Sequence, residues 1–333
     1  MKEFKLRLQL FANANVQTTL MADADHKNDV SATMKTFYKT SLLENARNEH
    51  YFNQFGQKQP LPKNNGKKVE WRKFETFSKA LTPLTEGVTP DGNKINMTKI
   101  EQVINQYGDY TTVSDRLELE AVDPIIVAVT EEHGAQAGDT LDTITRNELM
   151  TGKHVIYAGN KTSRAQLGKA DVITPTLINR AVTHLKKMKA PTINGDYVAI
   201  IHPSVSYDLR ESEEWIDVHK YAQPGEIYNG EIGKLHGVRF IADTEQAVVE
   251  GGASDGVVYA TMIFGKEAYG IIEPSAESLE VIVKQRGSAG TADPLDQRST
   301  VGWKASHAAK ILYEERLVRI ESGSYYSDVD EAN

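Results

Sequence analysis

A chain of 333 residues, 40% hydrophobic and 25% charged, is long enough to bury a sizeable core and sorts with ordinary globular proteins. It has no Cys, which excludes disulfides, thiolate nucleophiles and cysteine-based zinc sites. Its formal net charge of -8 argues against a dedicated nucleic-acid binder, which needs a basic excess to neutralise phosphates. No run approaches the ~18 apolar residues of a membrane helix. Arg7 and Gln9 interrupt the opening MKEFKLRLQLFANA, so it is not expected to act as an export signal.

Phe4, Leu6, Leu8 and Leu10 alternate with Lys5, Arg7 and Gln9, the period-two pattern of a strand that needs a partner edge. Residues 13–31 are small and polar and read as an arm; from Ala32 to Phe55 the spacing turns helical. Lys67 to Thr76 reads as a strand, Ile100 to Val113 as its return, and Thr85 to Asn96 as the Gly/Pro-rich tip between them. A hairpin this polar has no evident core of its own.

Asp123-Pro124 starts a long helix expected to run to Gly152 despite Gly134 and Gly138. Thr174-Pro175 starts another, with a stripe of Leu177, Ile178, Ala181, Val182 and Leu185, and lysines in its last turn. Tyr197 to Ile201 is a buried strand, after which Ser204 is expected to cap a helix carrying Val205 and Leu209. Gly225, Gly230, Gly233 and Gly237 then punctuate a loop before Val238–Ile241 returns as a strand. Further strands are expected at Val257–Phe264, Tyr269–Ile272, Leu279–Val283 and Leu317–Ile320, and Ser327–Asn333 as a mobile acidic tail.

Chemical motifs fail on inspection. No P-loop, GxGxxG or GxSxG is present, and the nine His residues show no paired ligand spacing. Glu211, Glu213 and Glu214 near Trp215 read as a solvated acidic face.

The order of segments carries a resemblance. IHPSVSYDLR (Ile201–Arg210) followed by GEIGKLHGVRF (Gly230–Phe240) resembles the axial domain of tailed-phage major capsid proteins with the Hong Kong 97-type fold. DPLDQRSTVGWKASHAAKILYEERLVRIES (Asp293–Ser322) and LQLFA (Leu8–Ala12) extend it over most of the chain, and within that group toward the N4-like phage capsid family. The resemblance implies an α+β fold. Its parts would be an N-terminal arm and helix (1–55), an extended hairpin loop (56–116), a spine helix and peripheral domain (117–194), an axial domain (195–290), and a return to the peripheral domain with a C-terminal tail (291–333).

It also implies a structural protein with no cofactor or metal, which closes into pentamers and hexamers. The resulting head would enclose double-stranded DNA without sequence-specific binding, in keeping with an acidic chain. Portal and scaffold proteins, and a decoration protein, are the partners expected from it; no membrane is. The place implied is the virion, after assembly in the bacterial cytoplasm. Two other readings stay open: an encapsulin-like shell packaging a cargo enzyme, and a soluble α+β enzyme.

Surfaces between subunits are expected at the N-terminal Phe4, Leu6, Leu8 and Leu10 and at the basic flank Lys67, Lys68, Arg72 and Lys73. The acidic Glu118, Glu120, Glu131 and Glu132 form the complement to that flank. Gly230, Gly233 and Gly237 suit tight turns around a symmetry axis. Some members of the wider fold crosslink a loop Lys to a neighbour's Asn. Lysines are available here, but the carboxylate catalyst and apolar pocket such a bond needs are not legible in the sequence.

Overall fold

A computed structural model gives the structure of the protein and describes residues 18–19, 50–61, 67–75, 77–84, 86–87, 89, 92–121, 125–221, 231–253, 256–274, 279–288, 293–327 and 329–333. In chain order these form β1 Thr18–Thr19, α1 Phe52–Phe55, β2 Gln57–Leu61, β3 Lys68–Phe74, β4 Met97–Val103, β5 Asn105–Ser114, α2 Asp115–Glu120, α3 Ile125–Leu149 and β6 Val155–Tyr157. There follow α4 Pro175–Lys187, β7 Tyr197–Ile201, α5 Pro203–Arg210, α6 Glu213–Tyr221, β8 Glu231–Leu235, β9 Val238–Ala242, β10 Val248–Val249 and β11 Val258–Phe264. The last strands are β12 Tyr269–Pro274, β13 Glu280–Lys284, β14 Arg298–Ile311 and β15 Leu317–Ser322. The chain divides into two compact units, one of residues 1–47, 106–140 and 277–306, the other of 48–105, 141–276 and 307–333.

The larger unit is organised by a sheet of order β6-β15-β11-β7-β9-β8, with β10 on β11. Its central strand β7, YVAII, is buried along its whole length. Tyr197, Ala199 and Ile201 face one core and Val198 and Ile200 the other, so a continuous apolar run suits a strand covered on both faces. The first core takes the stripe of α4 (Leu177, Ile178, Ala181, Val182, Leu185), together with Val205 and Leu209 of α5 and Trp215 of α6. Trp215 meets Phe240 edge-on at 5.8 Å between ring centres. The second core holds Phe52, Leu149, Met262, Phe264, Tyr269 and Ile271. Burying each such aliphatic or aromatic side chain contributes about 1.5–3 kcal/mol before entropy is counted.

Helix starts follow the caps. Thr174 accepts from the Leu177 N–H at 3.4 Å with Pro175 in the first turn of α4, as expected. At α5 the expectation is corrected: His202, not Ser204, is the cap, its Nδ1 accepting from the Ser204 N–H at 3.2 Å. Pro203 suits the first helical position, which sets the cap one residue earlier than a rule favouring Ser predicts. The Ser204 hydroxyl instead donates to Asp330 at 3.0 Å.

The expected return strand Ile100–Val113 is two strands. β4 pairs with β3, with Trp71 opposite Ile100 and Phe74 opposite Met97, while β5 is neighbour to β14. In the smaller unit β14 lies between β5 and β13. That packing is close: a Cβ on Gly302 would sit 2.7 Å from the Tyr110 Cβ and 2.8 Å from the Asp109 carbonyl oxygen. The long helix is observed as α3, whose interior accommodates Gly134 and Gly138 without a break.

Candidate functional site: the surfaces for assembly

The hairpin β3–β4 is built from alternation. Val69 is buried and Trp71 half-buried, both in a small cluster with Ile272 and Ala308, so the base has an anchor that the polar composition concealed. Glu70 and Arg72 point to the other face. There Glu70 accepts from Arg72 Nε at 3.0 Å and from Lys99 Nζ at 3.4 Å, which holds its carboxyl below its usual range. Lys68 sits 3.6 Å from Glu101. Lys73 is 3.5 Å from Glu315 and lies over the Tyr313 ring at 4.4 Å. The basic flank is therefore already paired within its own chain, apart from the exposed Lys67, for which no ion pair is found among the described residues.

Beyond the base, large apolar side chains are left uncovered among exposed polar neighbours such as Lys79, Glu86 and Lys94. Phe74, Phe77, Leu81, Leu84, Ile95 and Met97 are all exposed, Leu81 at 82% and Leu84 at 79%. Single exposed apolar side chains are ordinary, but a run of six on one hairpin marks a surface made to be covered. Charge dominates this element's sequence, and its scattered apolar residues carry no period that would mark them as an exposed surface.

The acidic residues also have partners at home. Glu118 Oε2 lies 3.6 Å from Arg286 Nε and 3.5 Å from the Ser299 hydroxyl that donates to it. Glu120 accepts from Arg116 Nε at 2.9 Å one helical turn away. Glu131 and Glu132, in the first half of α3, are themselves exposed and also have partners.

Two of the three singled-out glycines shape the β8–β9 hairpin. His236 (φ 51) and Gly237 (φ 80) form its two-residue turn with both residues left-handed, the geometry that best matches strand twist. Gly233 sits where the β8–β9 register shifts, at φ 151. Across this hairpin Arg239 donates to Glu231 Oε1 at 2.6 Å and to Asp196 Oδ2 at 3.1 Å, and Lys234 reaches Asp196 Oδ1 at 2.6 Å. Burial opposes the Arg239 charge, but the two carboxylates outweigh it and raise its pKa. Gly230 and the N-terminal Phe4, Leu6, Leu8 and Leu10 lie outside the described residues.

The C-terminal segment is a correction. Asp330 accepts from the buried Tyr259 hydroxyl at 2.6 Å, from Ser204 at 3.0 Å and from Ser327 at 2.7 Å. The Asn333 N–H donates to the Val248 carbonyl at 3.2 Å, and the Val248 N–H returns a bond at 3.0 Å. An acidic, loop-like composition hid a docked strap, because its anchors are isolated hydrogen bonds with no periodicity.

Among the described residues no three His, Cys, Asp or Glu side chains group as a metal site, and no helix is long and apolar enough to cross a membrane. The family model for phage capsid proteins matches residues 98–320, about two thirds of the chain. No curated protein matches. Among solved structures, the capsid of Ralstonia phage GP4 is similar at 15% identity with TM-score 0.70, over 95% of this chain and 100% of that one. The capsid of cyanophage P-SCSP1u gives 15% and 0.67 over 87% and 94%, and that of cyanophage Pam1 12% and 0.68 over 89% and 98%. At such identities these structures establish the fold, the mixed α+β Hong Kong 97 type. The family match, taken with that fold, places the chain in the phage capsid protein family: it is a phage major capsid protein, structural and not an enzyme.

Proposed function

We propose that this chain is the repeating subunit of a tailed-phage head, which self-assembles through pentamers and hexamers into an icosahedral shell around double-stranded DNA. The observation that carries the reading is the apolar hairpin tip, Phe74, Phe77, Leu81, Leu84, Ile95 and Met97, exposed in the single chain and fit to be buried on a neighbour. Its ion-paired flank contributes little: moving Lys68, Arg72 or Lys73 from an internal carboxylate to Glu118, Glu120, Glu131 or Glu132 of a neighbour exchanges one exposed pair for another, worth about 0–1 kcal/mol. The covered apolar area supplies the attraction and the charges set the register.

Within this reading the alternating Phe4–Leu10 segment adds a strand to a neighbouring subunit, and the turns at Gly230, Gly233 and Gly237 belong to an axial region spanning 195–290. The five-part division of the chain, the N4-like type, and portal, scaffold and decoration partners belong to the same proposal. So does assembly in the host cytoplasm. The encapsulin-like alternative is set aside, because the matching family is one of phage capsid proteins.

The test is the double substitution Leu81→Asp with Leu84→Asp. Both residues are exposed, so the fold, read by circular dichroism and melting, is expected to be unchanged while particle yield falls by about tenfold or more, the effect of losing ~1.4 kcal/mol per contact. Full particle yield from this variant contradicts the proposal.

A further inference from the structure

A cavity of about 290 Å³ opens beside β6, the edge strand of the larger unit's sheet. Its apolar wall is Val155 and Ile156 of β6 with Val318 of β15. Its polar lining is wholly basic or imidazole: Lys153 and His154 just before β6, and Arg180 and His184 on α4. Lys153 and Arg180 are exposed, and neither forms an ion pair among the described residues. The two imidazoles meet at a tilt of 52°, with 4.7 Å between ring centres. The His184 Nε2 is buried and has no hydrogen-bond partner, which is costly for a polar atom unless something supplies one. Burial keeps this ring uncharged more than an ordinary imidazole, helped by His154 and Lys187. The nearby carboxylates are engaged: Glu314 accepts from the Lys153 N–H at 3.1 Å, and Glu315 lies 3.5 Å from Lys73 Nζ.

β6 is also an edge. It pairs with β15 on one side and, among the described residues, with no strand on the other. An edge strand offers backbone donors and acceptors to an added strand, and this one has a basic pocket beside it.

We propose that this edge and pocket dock an extended acidic peptide segment of a partner protein. The segment lies along β6, and one Glu or Asp side chain enters the cavity between Lys153 and Arg180, beside the His154–His184 ring pair. Charge complementarity selects the acidic side chain, and Arg180 suits two-point binding of a carboxylate. The volume is at the low end for small-molecule sites, which fits one side chain better than a nucleotide. The apolar wall takes the methylene stem, whereas a DNA backbone would set its phosphates against Val155, Val318 and the neighbouring Glu314 and Glu315.

The test is fluorescence anisotropy with the full chain and a labelled, end-blocked hexapeptide of alternating Glu and Val. The expected result is saturable binding that weakens by about tenfold or more in Lys153→Glu and in Arg180→Glu, and equally when Gln replaces Glu in the peptide. The exposed Lys284→Glu, as a control of the same charge change, is expected to bind like the native chain. Ring signals of His184 are expected to shift when the peptide is added. The proposal is overturned if peptide affinity is indifferent to both substitutions. It is also overturned if a short DNA duplex or inorganic phosphate binds through Lys153 and Arg180 while the peptide does not.

Discussion

Asp243, at the end of β9, is almost wholly buried, and its Oδ2 finds no partner while its Oδ1 accepts from the Glu245 N–H at 3.0 Å. Burial pushes its carboxyl from 3.8 up to about 7; Asp142 and Glu245 add to this, and Arg146 opposes it. The folded chain therefore holds a proton that the unfolded chain has already lost. The associated stability is full below the unfolded value, declines as pH rises through the window from about 4 to about 7, and is gone above it. Asp243→Asn keeps the acceptor for Glu245 and deletes the charge. It is expected to be more stable than the native chain at pH 8, by at most about 4 kcal/mol, with the difference vanishing near pH 4. Urea titrations at the two pH values check this; an equal difference at both would show that Asp243 is not the titrating group. Asp330 goes the other way. Burial raises it, but bonds from Tyr259, Ser327 and Ser204, with the nearby His202, outweigh that and lower it.

At the scale of elements, α3 illustrates how a strong pattern overrides a weak residue. Gly134 lies within it, and a Cβ built there would meet nothing within 4 Å. Gly134→Ala is expected to raise stability by about 0.5–1 kcal/mol through helix propensity alone, read by thermal melting; a loss would show a close approach at this position. Elements with one dominant signal were legible in the sequence: β7 from its apolar run, α4 from its stripe and Thr-Pro start, and the β3 strand from alternation. β14 was not. Apart from Trp303, its run GWKASHAAK is made of small and polar residues, and it is strand because β5 and β13 flank it in the smaller unit and β12 pairs with it in the larger. No local pattern records that. The split of β4 from β5 was hidden for the same reason, since a strand's partner is set by distant residues. At the hairpin, charge drew attention because charged residues stand out in a sequence, whereas exposure of Leu81 and Leu84 is visible only once the rest of the unit has a core that leaves them out.

At the scale of the molecule, both compact units are assembled from segments distant in the chain, so their limits could not be read from shifts in composition. Function was legible through the order of segments and not through any reactive motif, as suits a protein whose chemistry is burial of surface. The acidic net charge of -8 agrees with the proposed enclosure of nucleic acid with little grip on it. If this chain builds a closed shell from copies of itself, electron microscopy of the purified full-length chain is expected to show hollow particles of uniform diameter with rings of five and six subunits. A chain that stays monomeric by light scattering at every concentration tried, with no particles on the grid, would contradict it.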